Sequence, residues 1–453
     1  MAPNDPNRRE FIRKAARVGL AAAAFHVLPR HVHGEAGRAP ASERLNIAGI
    51  GVGGMGFANL GQMEAENIVA LCDVDHAYAA RAFQRYDKAK TYTDYRVMLD
   101  EQRDIEAVMI ATPDHTHAVI ALAAMRAGKH VYCQKPLTHD IHEARVLARA
   151  AKKTGVVTQM GNQFHSGEGI RQVCEWIWDG AIGPVREVEA WCSLKYSPFG
   201  HAGWSTLLPN RPEETPAVPD TLDWDTWIGP APYRPYHPTY HPARWRAWWD
   251  FGCGMMGDRG VHTLDSVFWA LRLAAPTSVE LVSKEGGNDQ IHPDVAVVRF
   301  QFPARDDMPP VTVNWYEGMV PPRPEELEEG QPLGDGEGGV VFKGEKGKIM
   351  HGTYAATVSI IPASKMRAYE PPPKSLPRIE TSHEQHWIQC CKTGARASSD
   401  FSYAGPLTEF ALLGNIAIRL GGKIEWDAKK MKALGRPEAD EWIHRPYRKG
   451  WKL

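Results

Sequence analysis

The chain has 453 residues, a formal net charge of −1, 43% hydrophobic and 24% charged residues. That balance excludes the basic footprint of a nucleic-acid or anionic-membrane binder. The length asks for at least two domains. Seven cysteines form no CxxC pair and no metal-ligand spacing, so core thiols are expected rather than a disulfide framework, and no metal is expected.

In chain order, the first signal is Asn7-Arg8-Arg9-Glu10-Phe11-Ile12-Arg13-Lys14, followed by the mildly apolar run Ala15–Leu28. Paired arginines, an apolar step and a short apolar run match a twin-arginine export leader. The run is too short and too charged to span a bilayer comfortably. Residues 1–40 are therefore expected to act as leader, with cleavage between Leu28 and Ala41. The expected partner is the twin-arginine machinery, and the expected destination is the periplasm or another exported compartment. Stable membrane insertion is not expected.

Residues 41–161 alternate short apolar runs with amphipathic stretches. The runs are Leu45–Ile50, Ile68–Cys72, Ala107–Ala111, His130–Cys133 and Val156–Met160, with helical patterns clearest at His117–Ala127 and Ile141–Lys153. Continuous apolar runs mean strands buried on both faces, and helical crossovers make such a sheet parallel and doubly wound. Pro and Trp then become dense from Ser197 to Asp250, which predicts long loops. A helix is expected at Asp258–Leu271. Strand patterns follow at Ser278–Val282, Val295–Phe302, Val311–Tyr316, Gly339–Lys343 and Thr357–Ile361. A helix capped by Ser382 is expected to run through Cys391, another to span Gly405–Arg419, and a short strand to lie at Lys423–Trp426. Residues 162–430 thus read as an α+β domain with a large open, mostly antiparallel sheet. Residues 431–453 read as a tail.

Within the first domain, Gly51-Val-Gly53-Gly54-Met55-Gly56 follows a strand and opens a helix, and Asp73 ends the next strand. This is the Rossmann dinucleotide fingerprint. Gly51 permits the tight turn, Gly53 lets the backbone approach a pyrophosphate, and Gly56 allows close helix–strand packing. The helix N-terminus supplies free amides and a positive dipole end. Asp73 can accept from both ribose hydroxyls of NAD and would repel a 2′-phosphate, although Arg81 and Arg85 lie nearby. NAD is expected ahead of NADP.

Three further stretches recur in order: Ala111-Thr112-Pro113-Asp114-His115-Thr116-His117, then Gln134-Lys135-Pro136, then Gly257-Asp258-Arg259-Gly260-Val261-His262. The ensemble resembles the Gfo/Idh/MocA oxidoreductases, named for glucose-fructose oxidoreductase and inositol dehydrogenase. The resemblance covers essentially the whole chain after the leader. It implies that Lys135, Asp258 and His262 line the site beside a nicotinamide. It also implies cofactor contacts from Gly51, Gly53, Gly54, Met55, Gly56, Asp73, Thr112, Pro113, His117, Gln134 and Lys135. The residues support this reading independently. Lys135 ends a strand at the crevice where doubly wound sheets bind ligands. Asp258 and His262 are four apart on one helix face, which Asp265 and Trp269 continue. Oxidising a carbinol needs a base for the hydroxyl proton, a role that suits His262, with Asp258 orienting it or relaying the proton. Lys135 would steady developing alkoxide charge. Asp114 is expected to cap a helix. One position departs from the family, which has Glu where this chain has Gln134.

Asn162, Gln163 and His165 could reach a sugar hydroxyl, and Trp245 could stack on a pyranose face. Most of the other tryptophans are expected to staple a long loop to the core. The function implied is an exported NAD-dependent oxidoreductase acting on a hydroxyl of a sugar, polyol or glycoside with tightly held cofactor. Two alternatives stand beside it. One is redox-neutral glycoside cleavage by transient ring oxidation; the other is a non-catalytic sugar-binding protein that retains NAD. A homo-oligomer, dimer or tetramer, is expected because an open sheet needs its second face covered.

Overall fold

The computed structural model describes residues 43–195, 204, 206 and 208–453; the arginine-paired leader lies outside the described residues. In the first domain the strands are Asn46–Ile50 (β1), Asn67–Cys72 (β2), Lys90–Tyr92 (β3), Ala107–Ile110 (β4), His130–Cys133 (β5) and Thr158–Met160 (β6). The helices between them are Gly54–Gly61 (α1), His76–Arg85 (α2), Tyr95–Glu101 (α3), His117–Arg126 (α4) and Ile141–Thr154 (α5). All five strand pairings are parallel, in the order β3-β2-β1-β4-β5-β6. Strand order therefore reverses between β1 and β4, and the crevice outside the strands' carboxyl ends opens there. The sequence pattern does not show β3, because this three-residue strand carries two exposed side chains, Lys90 and Thr91. Caps fix the helix starts: the Asp75 side chain accepts from the Ala77 and Tyr78 amides at α2. Asp140 and Glu143 close a capping box at α5.

The second domain carries nine strands among the described residues: Val185–Cys192 (β7), Ser278–Glu285 (β8), Val295–Phe302 (β9), Val311–Glu317 (β10), Gly338–Gly344 (β11), Lys348–Gly352 (β12), Val358–Ile361 (β13), Lys423–Asp427 (β14) and Lys432–Leu434 (β15). Its helices are Glu168–Trp178 (α6), Trp224–Ile228 (α7), Val261–Ala270 (α8), Ala363–Ala368 (α9), His383–Thr393 (α10) and Phe401–Leu420 (α11). The sheet order is β13-β12-β11-β7-β10-β9-β8-β14-β15. Every pairing is antiparallel except β7 with β10.

Alternation buries Val298, Phe300 and Phe302 of β9 on the helical side. Phe410 of α11 meets the Phe300 and Phe302 rings edge-on at 4.7 and 5.1 Å. Strands β7 and β12 are absent from the sequence reading. In β7 the cause is charge: Arg186, Glu187 and Glu189 interrupt the apolar pattern. Glu189 is held in the sheet by Lys343 of β11, 2.5 Å away, a cross-strand pair that a linear reading cannot see.

The two domains share cores. Although α10 follows the second domain's strands in the chain, Trp387 and Ile388 pack with Ile47, Leu71, Met109 and Tyr132 of the first sheet. Helix α11 packs on α5, where the Cβ that Gly405 lacks would stand 3.3 Å from the Ala144 carbonyl oxygen. The stretch read above as a tail is tied down at both ends. Lys432–Leu434 pairs with β14, and the Arg445 amide donates to Asp140 Oδ2 at 3.0 Å. The tryptophan-rich segment makes a core of its own from Trp224, Trp227, Tyr240, Trp245, Trp248 and Phe251. Its indole N–H groups are satisfied locally: Trp224 donates to the Arg234 carbonyl at 2.7 Å and Trp248 to Thr239 at 3.0 Å. Most of these tryptophans therefore staple the loop, as their density suggested. No helix among the described residues is long and apolar enough to cross a membrane.

Candidate functional site

A cleft of about 360 Å³ lies at the strand-order reversal and runs from the glycine loop to Lys135 and Asp258. At the loop, Gly51 has φ +74°, and a Cβ there would press on the Ala111 backbone at 2.8 Å. A Cβ on Gly56 would stand 1.9 Å from the Gly51 carbonyl oxygen. Only glycine lets α1 start this close to β1. No side chain caps the N-terminus of α1, and Gly53, Gly54 and Met55 line the cleft beside it. The first-turn amides and the positive helix end are thus presented to the cleft, which fits a diphosphate.

Asp73 lies on the cleft wall, but its carboxylate also braces the loop. Oδ2 accepts from the Val52 amide at 2.8 Å and the Gly53 amide at 3.3 Å, and Oδ1 accepts from Asp75 at 3.0 Å. Burial raises its pKa, partly offset by those amides. The two neighbouring arginines turn away. Arg81 lies 4.2 Å above the Phe57 ring, and Arg85 pairs with Glu64. The tryptophan-rich segment roofs this end of the cleft. The Asp223 amide donates to the Val74 carbonyl at 2.8 Å, the His76 amide to Thr221 at 3.0 Å, and His241 Nε2 meets Asp75 Oδ2 at 2.8 Å.

At the opposite end, Lys135 Nζ lies 2.5 Å from Asp258 Oδ1 and donates to the Asp258 carbonyl at 2.7 Å. Both side chains are about nine-tenths buried, at 13% and 10% exposure. Charge-assisted bonds in such a setting are strong and well oriented. Asp258 sits in a π-turn, Met256–Gly260, directly before α8; the sequence predicts an α-helix there. That wider turn carries Asp258 toward Lys135, and π-turns recur at functional sites. His262 follows on the first turn of α8. Its Nδ1 is buried without a hydrogen-bond partner. Burial, then the charges of Lys135 and Arg259, push its pKa well below the usual value, so the imidazole is held neutral. The His262 ring meets Tyr354 edge-on at 5.3 Å and Phe164 at 6.2 Å.

The structure redistributes several expected roles. Thr112, Pro113 and Gln134 line the cleft, as does Trp245. His117 does not: its Nδ1 and Nε2 lie 2.8 and 2.9 Å from the Pro136 and Thr112 carbonyls, so it braces the Lys135–Pro136 turn. Asn162 and His165 point away as well. Both bind Asp265, at 2.9 and 3.0 Å, and the His165 ring stacks on Trp269 at 4.5 Å. Asp265 also accepts from Tyr403 at 2.5 Å. These side chains form a buried polar cluster around Asp265. Gln163 reaches Tyr132 at 3.4 Å. Asp114 is no helix cap. Its Oδ2 accepts from the Cys253 amide at 2.9 Å, and burial raises its pKa to about 7.

Gln134 is committed to an internal chain. Its Nε2 donates to Asn59 Oδ1 at 2.9 Å; Asn59 Nδ2 donates to Glu384 Oε1 at 2.9 Å, and Tyr132 donates to the same oxygen at 3.2 Å. Asn59 and Glu384 carry no sequence motif and were not foreseen. Nor was Arg246, which lies 3.5 Å from Asp258 Oδ1 and packs over Trp245 and Trp204 at 4.3 and 4.6 Å. Burial lowers its pKa to about 10, which leaves it charged at neutral pH. Its only sequence signal is position within the tryptophan-rich stretch. Among the described residues, no three His, Cys, Asp or Glu side chains gather as metal ligands.

Residues 45–162 match an oxidoreductase family's NAD-binding Rossmann fold, and residues 202–302 match the same family's C-terminal alpha/beta domain. Levoglucosan dehydrogenase from Pseudarthrobacter phenanthrenivorans is 33% identical over 25% of this chain and 29% of its own. An alpha-N-acetylgalactosaminidase from Shewanella oneidensis is 29% identical over 41% of this chain and 45% of its own. The chain thus spans less than half the length of these curated relatives. In fold it is similar to the WlbA dehydrogenase from Bordetella pertussis, solved with NADH and UDP-GlcNAcA. The TM-score is 0.59 at 17% identity, over 85% of this chain and 99% of that one.

Proposed function

We propose that the chain is a Gfo/Idh/MocA oxidoreductase, the family whose models match residues 45–162 and 202–302, and that it is an NAD-dependent enzyme acting on a hydroxyl-bearing carbon of a sugar, polyol or glycoside. NAD, when bound, supplies the acceptor for the hydride that leaves that carbon. The chain's own residues handle the proton. Neutral His262 takes it from the hydroxyl, Lys135 donates a hydrogen bond to the same oxygen as negative charge grows there, and Asp258 holds Lys135 in place. The observation that carries the proposal is the buried Lys135–Asp258 pair in the same cleft as an uncapped helix N-terminus behind a glycine loop. Asp73 at the loop, with Arg81 and Arg85 turned away from it, favours NAD over its 2′-phosphorylated form.

The roof over the cleft favours a cofactor retained between turnovers, and with it the redox-neutral alternative, in which the hydride returns to the same sugar after bond cleavage. The test is to incubate purified protein with a panel of glycosides and no added NAD, after the nucleotide content of a denatured sample has been measured. Free aglycone without net NADH is the redox-neutral outcome. Bound NADH reoxidised only by a second carbonyl compound is the two-substrate outcome. No reaction with any sugar would leave a binding protein and overturn the enzymatic reading.

The Arg8-Arg9 leader supports export of the folded, cofactor-loaded protein by the twin-arginine route. Changing both arginines to lysine is expected to trap the protein in the cytoplasm. Unchanged export of that variant, followed by cell fractionation, would refute the assignment.

A further inference from the structure

Residues 445–451 run back from the second domain to the cofactor cleft along a path held at both ends. Arg445 donates from its amide to Asp140 and from Nη1 to the Trp249 carbonyl at 2.7 Å. Tyr447 donates to Glu143 Oε1 at 2.5 Å. Arg448 grips helix α7 of the roof: its guanidinium meets Asp225 Oδ1 at 2.5 Å, the Asp225 carbonyl at 3.0 Å and the Gly229 carbonyl at 3.1 Å. Its amide donates to the Pro230 carbonyl at 2.9 Å. These bonds deliver Trp451 into the cleft, where its indole forms part of the wall with Thr93, Tyr95, Thr116 and Ile120. The guanidinium of Arg96 lies 4.9 Å from the centre of that ring.

The strand order says which half of the cofactor this wall would meet. The uncapped N-terminus of α1 marks the diphosphate. Lys135 follows β5, on one side of β1. Thr93 and Tyr95 follow β3, on the other side. With the nicotinamide half beside Lys135, the adenosine half lies beside Thr93, Tyr95 and Trp451. Adenine is flat and presents a π-face, and an indole fixed by its backbone offers a matching surface at small entropic cost.

We propose that residues 445–451 form a clasp over the adenosine half of the dinucleotide, with Trp451 as the stacking wall for adenine, so that cofactor exchange requires this segment to lift. The inference rests on the NAD reading of the cleft. It adds a determinant of retention from the opposite end of the chain to the glycine loop.

The test compares the full-length protein with Trp451→Ala and Trp451→Phe. Each is loaded with NADH and chased with excess NAD, and release is followed by dihydronicotinamide fluorescence. Trp451→Ala is expected to release NADH about 10- to 100-fold faster, while Trp451→Phe stays within about threefold of the unmodified protein. Reduced nicotinamide mononucleotide, which lacks adenosine, is expected to bind all three proteins equally. NADH release from Trp451→Ala at the unmodified rate would overturn the clasp. Equal loss of the mononucleotide would overturn it too, because Trp451 would then be supporting the cleft as a whole. Failure of the unmodified protein to bind either nucleotide would instead bring down the NAD reading, and the clasp with it.

Discussion

Lys135→Met is expected to lower kcat by about 10²- to 10⁴-fold, the range typical of a lost acid–base or oxyanion partner, on whichever sugar or glycoside the protein turns over. Nucleotide content, measured after denaturation, should be unchanged, because the diphosphate end of the cleft owes nothing to Lys135. Methionine keeps most of the apolar stem and removes the ammonium, with its charge and its hydrogen bonds to Asp258. Removing one member of a buried pair is ordinarily destabilising. Here Asp258 keeps two other cations nearby, Arg246 Nε at 3.5 Å and Arg259 Nε at 3.9 Å. The variant should therefore fold, which a thermal melt checks. Activity within tenfold of the unmodified protein would show that the catalytic centre has been misassigned.

Gly56→Ala should act on the other half of the site. Its added methyl would stand 1.9 Å from the Gly51 carbonyl oxygen, a contact that neither backbone segment can relieve while the loop keeps its shape. Either α1 moves away from β1 or the turn opens; both dissolve the row of amides that faces the diphosphate. Dinucleotide affinity is expected to fall at least about 100-fold, while the stability cost stays within the roughly 1–3 kcal/mol usual for overpacking. Fluorescence titration with NADH checks the first and denaturant unfolding the second. A folded Gly56→Ala protein that binds NADH as tightly as the parent would mean that this loop is not the diphosphate cradle.

The two halves of the site were not equally legible in the sequence. The glycine loop, Asp73 and Lys135 could be read because each sits at the end of a buried strand, and the topology of a doubly wound sheet brings strand ends together. Asp258 and His262 could be read through the family resemblance and their spacing, although the π-turn that aims Asp258 at Lys135 could not. The partner of Asn162 and His165 was not legible, because a polar cluster after a strand looks the same whether it faces a ligand or a buried carboxylate, and Asp265 lies 100 residues or more along the chain. His117 misled for the same reason, since its partners are backbone carbonyls, which leave no trace in composition. Arg246 and Trp451 reach the cleft from the tryptophan-rich loop and from a stretch that reads as a tail. Arg246 lies in a 3₁₀ turn, Arg244–Ala247, and Trp451 in no helix or strand, so no periodic pattern announced them. Strands with unbroken apolar or alternating patterns were found, whereas β3 was hidden by its shortness and its exposed Lys90 and Thr91, and β7 by charged side chains such as Glu189, which Lys343 of β11 satisfies.

The chain through Gln134, Asn59 and Glu384 has an evolutionary consequence. Two positions 250 residues apart, 134 and 384, are joined through the single side-chain amide of Asn59. A glutamate at 134 alone would remove the Nε2 donor that Asn59 Oδ1 now accepts from and break the chain there. Substitution at either site is therefore conditional on the other. The residue types at 134 and 384 should change together, so that Asn59 always finds one donor and one acceptor.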